Sequence, residues 1–317
     1  MAATMVPDSE ILPDVLPTGR LTASGMPVPQ IRAELRRIPN GLNAWSVAAL
    51  WLTTVGIAVA AVEIDHPVAW IAAFLLMGPQ HARFASLGHE AAHRLLFTNK
   101  RLNDWVGRWV LGYPAFFPVD IYRRGHMAHH KDEFGPNEPD MNLYAGYPIP
   151  RSSMLRKLRR DLFVESGWKN LKGLLRGLRF DGVKVHARRI VVAQVVLLVV
   201  CSLLGWPQVW FFLWFLPWMT TWRVINRLRS IAEHGGMERS SDRRRTTHAV
   251  AQSRLAGFTL VPYKIGYHLA HHVDMGVPWR NLPQLDRELR AAGWVPDALV
   301  HPTYRELWHS LSSRPES

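Results

Sequence analysis

The run Asn43–Val62 holds no charged residue and is about twenty residues long, the length an α-helix needs to cross a bilayer. EIDHP (Glu63 to Pro67) breaks it, and a second apolar run starts at Val68 and reaches Pro79. Helical spacing continues from there through Gln80, His81 and Arg83, so the two runs read as a helical hairpin. A second pair, Ile190–Gly205 and Val209 to Trp222, turns at Gly205-Trp206-Pro207-Gln208. Between the pairs, DWVGRWVLGYPAFFP (Asp104 to Pro118) is aromatic but too short and too charged to span, and is expected to be interfacial or re-entrant. The expectation is an all-α, polytopic membrane protein: about four transmembrane helices in two hairpins, capped by a cytoplasmic helical part.

Mean hydropathy of −0.05 conceals this partition, because very basic segments alternate with the apolar ones. Neither short turn carries Lys or Arg, whereas the segments joining the hairpins do, RKLRR (Arg156 to Arg160) and HARR (His186 to Arg189) most densely. The positive-inside rule then puts the basic parts and both termini in the cytoplasm. The net charge of +13 suits an anionic membrane surface and lies in no nucleic-acid motif, so no nucleic-acid partner is expected. The 14 Trp include several that flank apolar runs, where interfacial Trp belongs. The single cysteine, Cys201, excludes an internal disulfide and a thiolate metal site. MAATMVPDSEILPDV lacks a basic start followed by an apolar core, so no secretory leader is expected, and a bacterial plasma membrane is the favoured compartment. Residues 1–40 read as a loose arm, 41–285 as the membrane domain with its cap, and 286–317 as a cytoplasmic extension.

Chemistry is concentrated in HEAAH (His89, His93), HMAHH (His126, His129, His130) and HLAHH (His268, His271, His272), which hold eight of the 15 histidines. Offsets of three and four place these imidazoles on one helix face. Neutral imidazole binds iron, copper, nickel and zinc, and eight exceed what one ion holds, so two metals are expected. The second and third clusters each open after Pro and close with Gly and Pro, which suits short helices. A ninth candidate, His234 in AEHGG, shares a helix face with Asn226 and Ser230, and Gly235-Gly236 ends that helix. His66, His81, His186, His248, His301 and His309 read as solvated or structural. Arg243 to Arg245 read as a solvated loop near lipid headgroups, or as a docking surface for an acidic electron carrier.

HEAAH, HMAHH and HLAHH, with AEHGG between the second and third, resemble the integral-membrane fatty acid desaturase superfamily over roughly residues 43–285. RSIAEH and HHVDMGVPWRNLP are most similar to its acyl-lipid desaturase branch. The resemblance implies two iron ions, O₂ as co-substrate, and ligands His89, His93, His126, His129, His130, His234, His268, His271 and His272. It also implies a lipid or acyl substrate and an external electron donor of ferredoxin, rubredoxin or cytochrome type, since no His-Pro-Gly-Gly haem motif is present. Ser230 stands where some members have a metal-approaching Asn. Glu90, Asp140 and Asp274 are the expected carboxylate partners of the imidazoles. The alternatives are a di-iron hydroxylase or ketolase of a lipid or carotenoid, a zinc membrane protease using HEAAH, and a metal-binding protein without catalysis.

Overall fold

A computed structural model describes residues 4–315, and these are mostly helical, with almost no sheet. In chain order the helices begin with α1 (Pro29–Leu35), α2 (Asn40–Ile64), α3 (Pro67–Ala92), α4 (Lys100–Trp105) and α5 (Val119–Lys131). There follow α6 (Met141–Tyr144), α7 (Arg151–Leu162), α8 (Glu165–Gly177), α9 (Lys184–Leu203), α10 (Pro207–Val209), α11 (Leu216–Met219) and α12 (Thr221–His234). The last four are α13 (Arg254–Thr259), α14 (His268–Val273), α15 (Leu282–Ala291) and α16 (Tyr304–Leu311). Stretches of π-helix, Val106–Gly112 and Trp210–Phe215, continue α4 and join α10 to α11. The sheet content among the described residues is one parallel pair, β1 (Ala249–Val250) with β2 (Val300–His301). The chain divides into two compact units: one holds the residues up to Ile38, Arg124–Arg156 and the residues from Arg227; the other holds Pro39–Arg123 and Lys157–Asn226.

The second unit carries the hairpins. The 25 residues of α2 extend about 37 Å, enough for a hydrocarbon core of about 30 Å. Asp65 ends α2 in the left-handed conformation (φ 42°), and His66 Nδ1 accepts from the Val68 N–H while Pro67 starts α3. Two helical stretches have the length and composition to cross a bilayer, Pro29–Ile64 and α9. The apolar windows of both are largely exposed: Trp45, Leu52 and Val55 on α2, and Val192, Val199 and Leu203 on α9, face outward. A helix apolar on every side is either buried or lipid-facing, and these are not buried.

The other two expected arms are of different build. α3 is 26 residues long, but its second half carries Gln80, His81, Arg83 and the first histidine cluster, and most of that half is buried. Gly78 leaves room for α12: a Cβ there would lie 2.7 Å from Thr221 Oγ1. The arm after Gly205 is interrupted by its π-stretch and by Pro217.

Residues 106–117 expose carbonyls that regular helix would have paired, and neighbouring side chains supply the missing donors. Trp51 Nε1 donates to Val110 O (3.0 Å), Trp214 Nε1 to Pro114 O (2.8 Å), and Gln194 Nε2 to Tyr113 O (3.0 Å) and Pro114 O (2.9 Å). Unpaired carbonyls in so apolar a setting would cost several kcal/mol each, roughly, so these donors make the irregular segment tenable. Close to the end of α3, Asn103 Nδ2 donates to Ala91 O (2.9 Å) and Arg123 Nε to Ala92 O (2.7 Å), which fixes the turn following His89 and His93.

In the first unit, Leu282, Leu285 and Leu289 line one face of α15, and Leu307 and Leu311 one face of α16; all five are buried. The arm expected to be loose is packed. Leu21 and Leu35 are buried, Arg20 Nη2 pairs with Glu288 (2.7 Å), and Asn281 Nδ2 donates to Leu35 O (2.8 Å). Its apolar residues alternate with Pro and charge too irregularly to display a period. The C-terminal stretch is likewise part of this core rather than an appendage.

Candidate metal centre

The second and third histidine clusters lie on short helices, as their flanking Pro and Gly predict. α5 presents His126, His129 and His130, and α14 presents His268, His271 and His272. His234 is the last residue of α12, and Gly236 beyond it is left-handed (φ 76°). These seven imidazoles gather within the first unit, and all are buried.

They form two sets, each joined through Nε2. In one set His130 Nε2 lies 3.1 Å from His126 Nε2 and 3.0 Å from His271 Nε2. In the other His268 Nε2 lies 3.1 Å from His234 Nε2 and 3.0 Å from His272 Nε2. His129 joins the second set, its ligand atom within 4.8 Å of those of His234 and His272. His89 and His93 lie in the other unit, at the end of α3, with ring centroids 4.6 Å apart.

The outer nitrogens explain why Nε2 turns inward. His272 Nδ1 donates to Glu133 Oε1 (2.6 Å), His129 Nδ1 to Glu138 Oε2 (3.0 Å), and His234 Nδ1 to Thr246 O (2.8 Å). Glu233 Oε1 stands 3.6 Å from His268 Nδ1. An imidazole that carries its proton on Nδ1 has a bare lone pair on Nε2. His234 and His272 therefore both aim lone pairs at His268, whose single Nε2 can donate to only one of them. A cation among the three removes that repulsion.

The spacing fits such an ion. With a metal–nitrogen bond of about 2.1 Å, ligands at right angles lie about 3.0 Å apart and tetrahedral ones about 3.4 Å. The observed 3.0–3.1 Å between neighbouring Nε2 atoms lies in this range, so each set can share one ion. Burial holds His234, His268 and His272 well below the ordinary imidazole range, which keeps them neutral and able to bind metal. His129 differs: burial lowers it, but the hydrogen bond and charge of Glu138, with Glu133 and Asp140, outweigh burial and raise it.

The carboxylates against the imidazoles are thus Glu133, Glu138 and Glu233, none of which was expected from the sequence. Glu133 stands one helical turn after His130, and Glu233 immediately precedes His234, and both placements are visible in the sequence. Of the three expected, Asp274 pairs with Arg36 (2.5 Å) instead, Asp140 lies in a group with His129 and Glu138, and Glu90 is buried on α3. The arginine triplet is no solvated loop. Arg243 bonds Glu133, Arg244 is buried against Asp242 and Trp294, and Arg245 bonds Glu238. Histidines outside the clusters have structural contacts: His81 Nε2 with Trp214 O (3.0 Å), His186 Nδ1 with Tyr113 OH (3.1 Å), and His248 Nε2 with Gly235 O (2.7 Å).

Fold and site together define a helical protein with apolar spans and a buried, carboxylate-braced polyhistidine centre. Residues 64–300 match the model of the fatty acid desaturase family, and the chain belongs to that family. It is similar to the sn-1 oleoyl-lipid 12-desaturase of Arthrospira platensis, 29% identical over 107 residues, which are 31% of this chain and 29% of that one. The sn-1 oleoyl-lipid 12-desaturase of Anabaena variabilis is 30% identical over 96 residues, 29% of this chain and 26% of that one. The matched stretches thus span less than a third of either relative. Family membership leaves the zinc-protease reading of HEAAH without support.

Proposed function

We propose that this protein is an O₂-dependent di-iron desaturase that introduces a double bond into an acyl chain carried by a membrane lipid. The observation that carries the reading is the pair of Nε2-joined histidine sets, one of them braced by Glu133 and Glu138 on the outer nitrogens of His272 and His129. In this reading His126, His130 and His271 hold one iron, joined through motif position by His89 and His93. His129, His234, His268 and His272 hold the other. Iron supplies the O₂ activation and one-electron steps that no side chain of this protein can perform. The protein's own residues fix the tautomers, keep the imidazoles neutral, and exclude water from the centre by burial. The acyl lipid as substrate rests on the family and on the relatives' names. Electrons come from a separate carrier of ferredoxin, rubredoxin or cytochrome type. Four membrane segments follow if α3 and the α10–α11 arm insert beside α2 and α9, which leaves the histidine sets and both termini cytoplasmic, in a bacterial plasma membrane.

Lipid mass spectrometry of a host expressing the chain, beside a His271→Ala control, tests this. An acyl species two hydrogens lighter, absent from the control, is the expected result. A species heavier by one oxygen would make the protein a hydroxylase on the same centre.

A further inference from the structure

We propose that Arg243 is a positioning residue that ties the two histidine sets to each other, an inference that rests on the metal centre proposed above. Its guanidinium forks. Nη1 donates to Glu133 Oε1, the same oxygen that receives His272 Nδ1 at 2.6 Å, and Nη2 donates to the carbonyl of His130 at 3.3 Å. His272 belongs to one set and His130 to the other, so a single planar cation spans both. The charge is needed as well as the shape. Glu133 is buried, and a buried carboxylate is tolerable only against a cation; Arg243 supplies one in hydrogen-bond contact with it.

The segment around Arg243 is built to hold this fork still. Arg244 anchors its base: the guanidinium bonds Asp242 (2.7 Å), Pro13 O (3.0 Å) and Trp294 O (3.1 Å), and its centre lies 4.7 Å from the Trp294 ring. Thr246 O then receives His234 Nδ1 (2.8 Å). His248 closes the strap, its backbone N–H on Glu233 O (3.0 Å) and its Nε2 on Gly235 O (2.7 Å). Residues 242–248 therefore touch α5, the end of α12 and, through Glu133, α14. An Arg fork is not replaceable by Lys at such a place, because an ammonium is a point charge that cannot serve both acceptors in one plane.

The test is titration of metal-free full-length protein with Co(II), read by the visible ligand-field bands and by metal retained per chain, beside thermal melting. Wild type is expected to retain two ions. Arg243→Gln should lose affinity by about 10- to 100-fold, the usual effect of removing an outer partner of a ligating imidazole, with displaced bands. Arg243→Lys should recover part of the affinity through charge while its bands stay displaced, since the His130 clamp is lost. Wild-type bands and affinity in Arg243→Gln, even with a lowered melting temperature, would reduce Arg243 to a fold-stabilising ion pair and overturn the proposal. If Arg243→Gln does not fold, Arg243→Lys decides alone: displaced bands support the tie, and wild-type bands overturn it. Wild type that retains no Co(II) would instead remove the metal centre itself, a failure distinct from that of Arg243.

Discussion

Glu133 Oε1 accepts from His272 Nδ1 at 2.6 Å, and that contact decides which nitrogen of His272 faces the centre. A glutamine there keeps the shape but replaces a charged acceptor with a weaker neutral one. Glu133→Gln is therefore expected to lower iron retention by about 10- to 100-fold in dissociation constant. Metal content after stepwise dialysis against a chelator measures it, and retention equal to wild type would refute the assignment.

Replacing an inward imidazole should be more severe than replacing an outward one. His271→Ala removes a member of the His126–His130–His271 set and is expected to abolish desaturation and lower bound iron. His309→Ala, exposed on α16, should leave both unchanged. Product analysis of the two variants in one host makes the comparison, and turnover by His271→Ala would defeat the site.

Gln194 is a buried amide on an otherwise apolar helix, and it serves two carbonyls at once. Gln194→Leu is close in size but removes the side-chain donor to Tyr113 O and leaves Pro114 O with Trp214 alone, at a cost of about 1–3 kcal/mol. Thermal unfolding in detergent should show a clear drop, and an unchanged midpoint would count against the role of Gln194.

Burial lowers His248 to about 3, further than its bond to Gly235 O raises it. The folded pKa lies below the unfolded one of about 6.5, so below that pH the unfolded chain binds more protons and gains free energy. Stability from His248 is whole above pH 6.5 and declines toward pH 3, by about 1.4 kcal/mol per pH unit. Unfolding followed from pH 7 to pH 5 should therefore be steeper for wild type than for His248→Gln. Parallel curves would count against a neutral, buried His248.

The helices that carry HMAHH and HLAHH were legible because their period and end signals are local, and His234 was legible from four-residue spacing and the glycines after it. The bracing carboxylates were not. Glu133 and Glu233 sit at helical offsets from histidines, but nothing local tells a solvated glutamate from one turned inward. Arg243 was hidden more deeply, since its partner Glu133 is 110 residues away and a run of three arginines reads as surface. The packed arm was missed for a related reason: Leu21 and Leu35 show no periodicity, and only contact with distant residues reveals their burial. Gln194 left a signal in plain sight, a polar residue inside the run from Ile190 to Gly205.

The donors that satisfy residues 110–114 bear on the order of events during synthesis. Val110 can be paired as soon as α2 is made, for Trp51 precedes it. Tyr113 waits for Gln194, and Pro114 first for Gln194 and then for Trp214. Until Gln194 is made, the Tyr113 and Pro114 carbonyls lack these side-chain donors. On the four-segment topology proposed above, the later hairpin therefore completes the pairing of the loop that follows the earlier one.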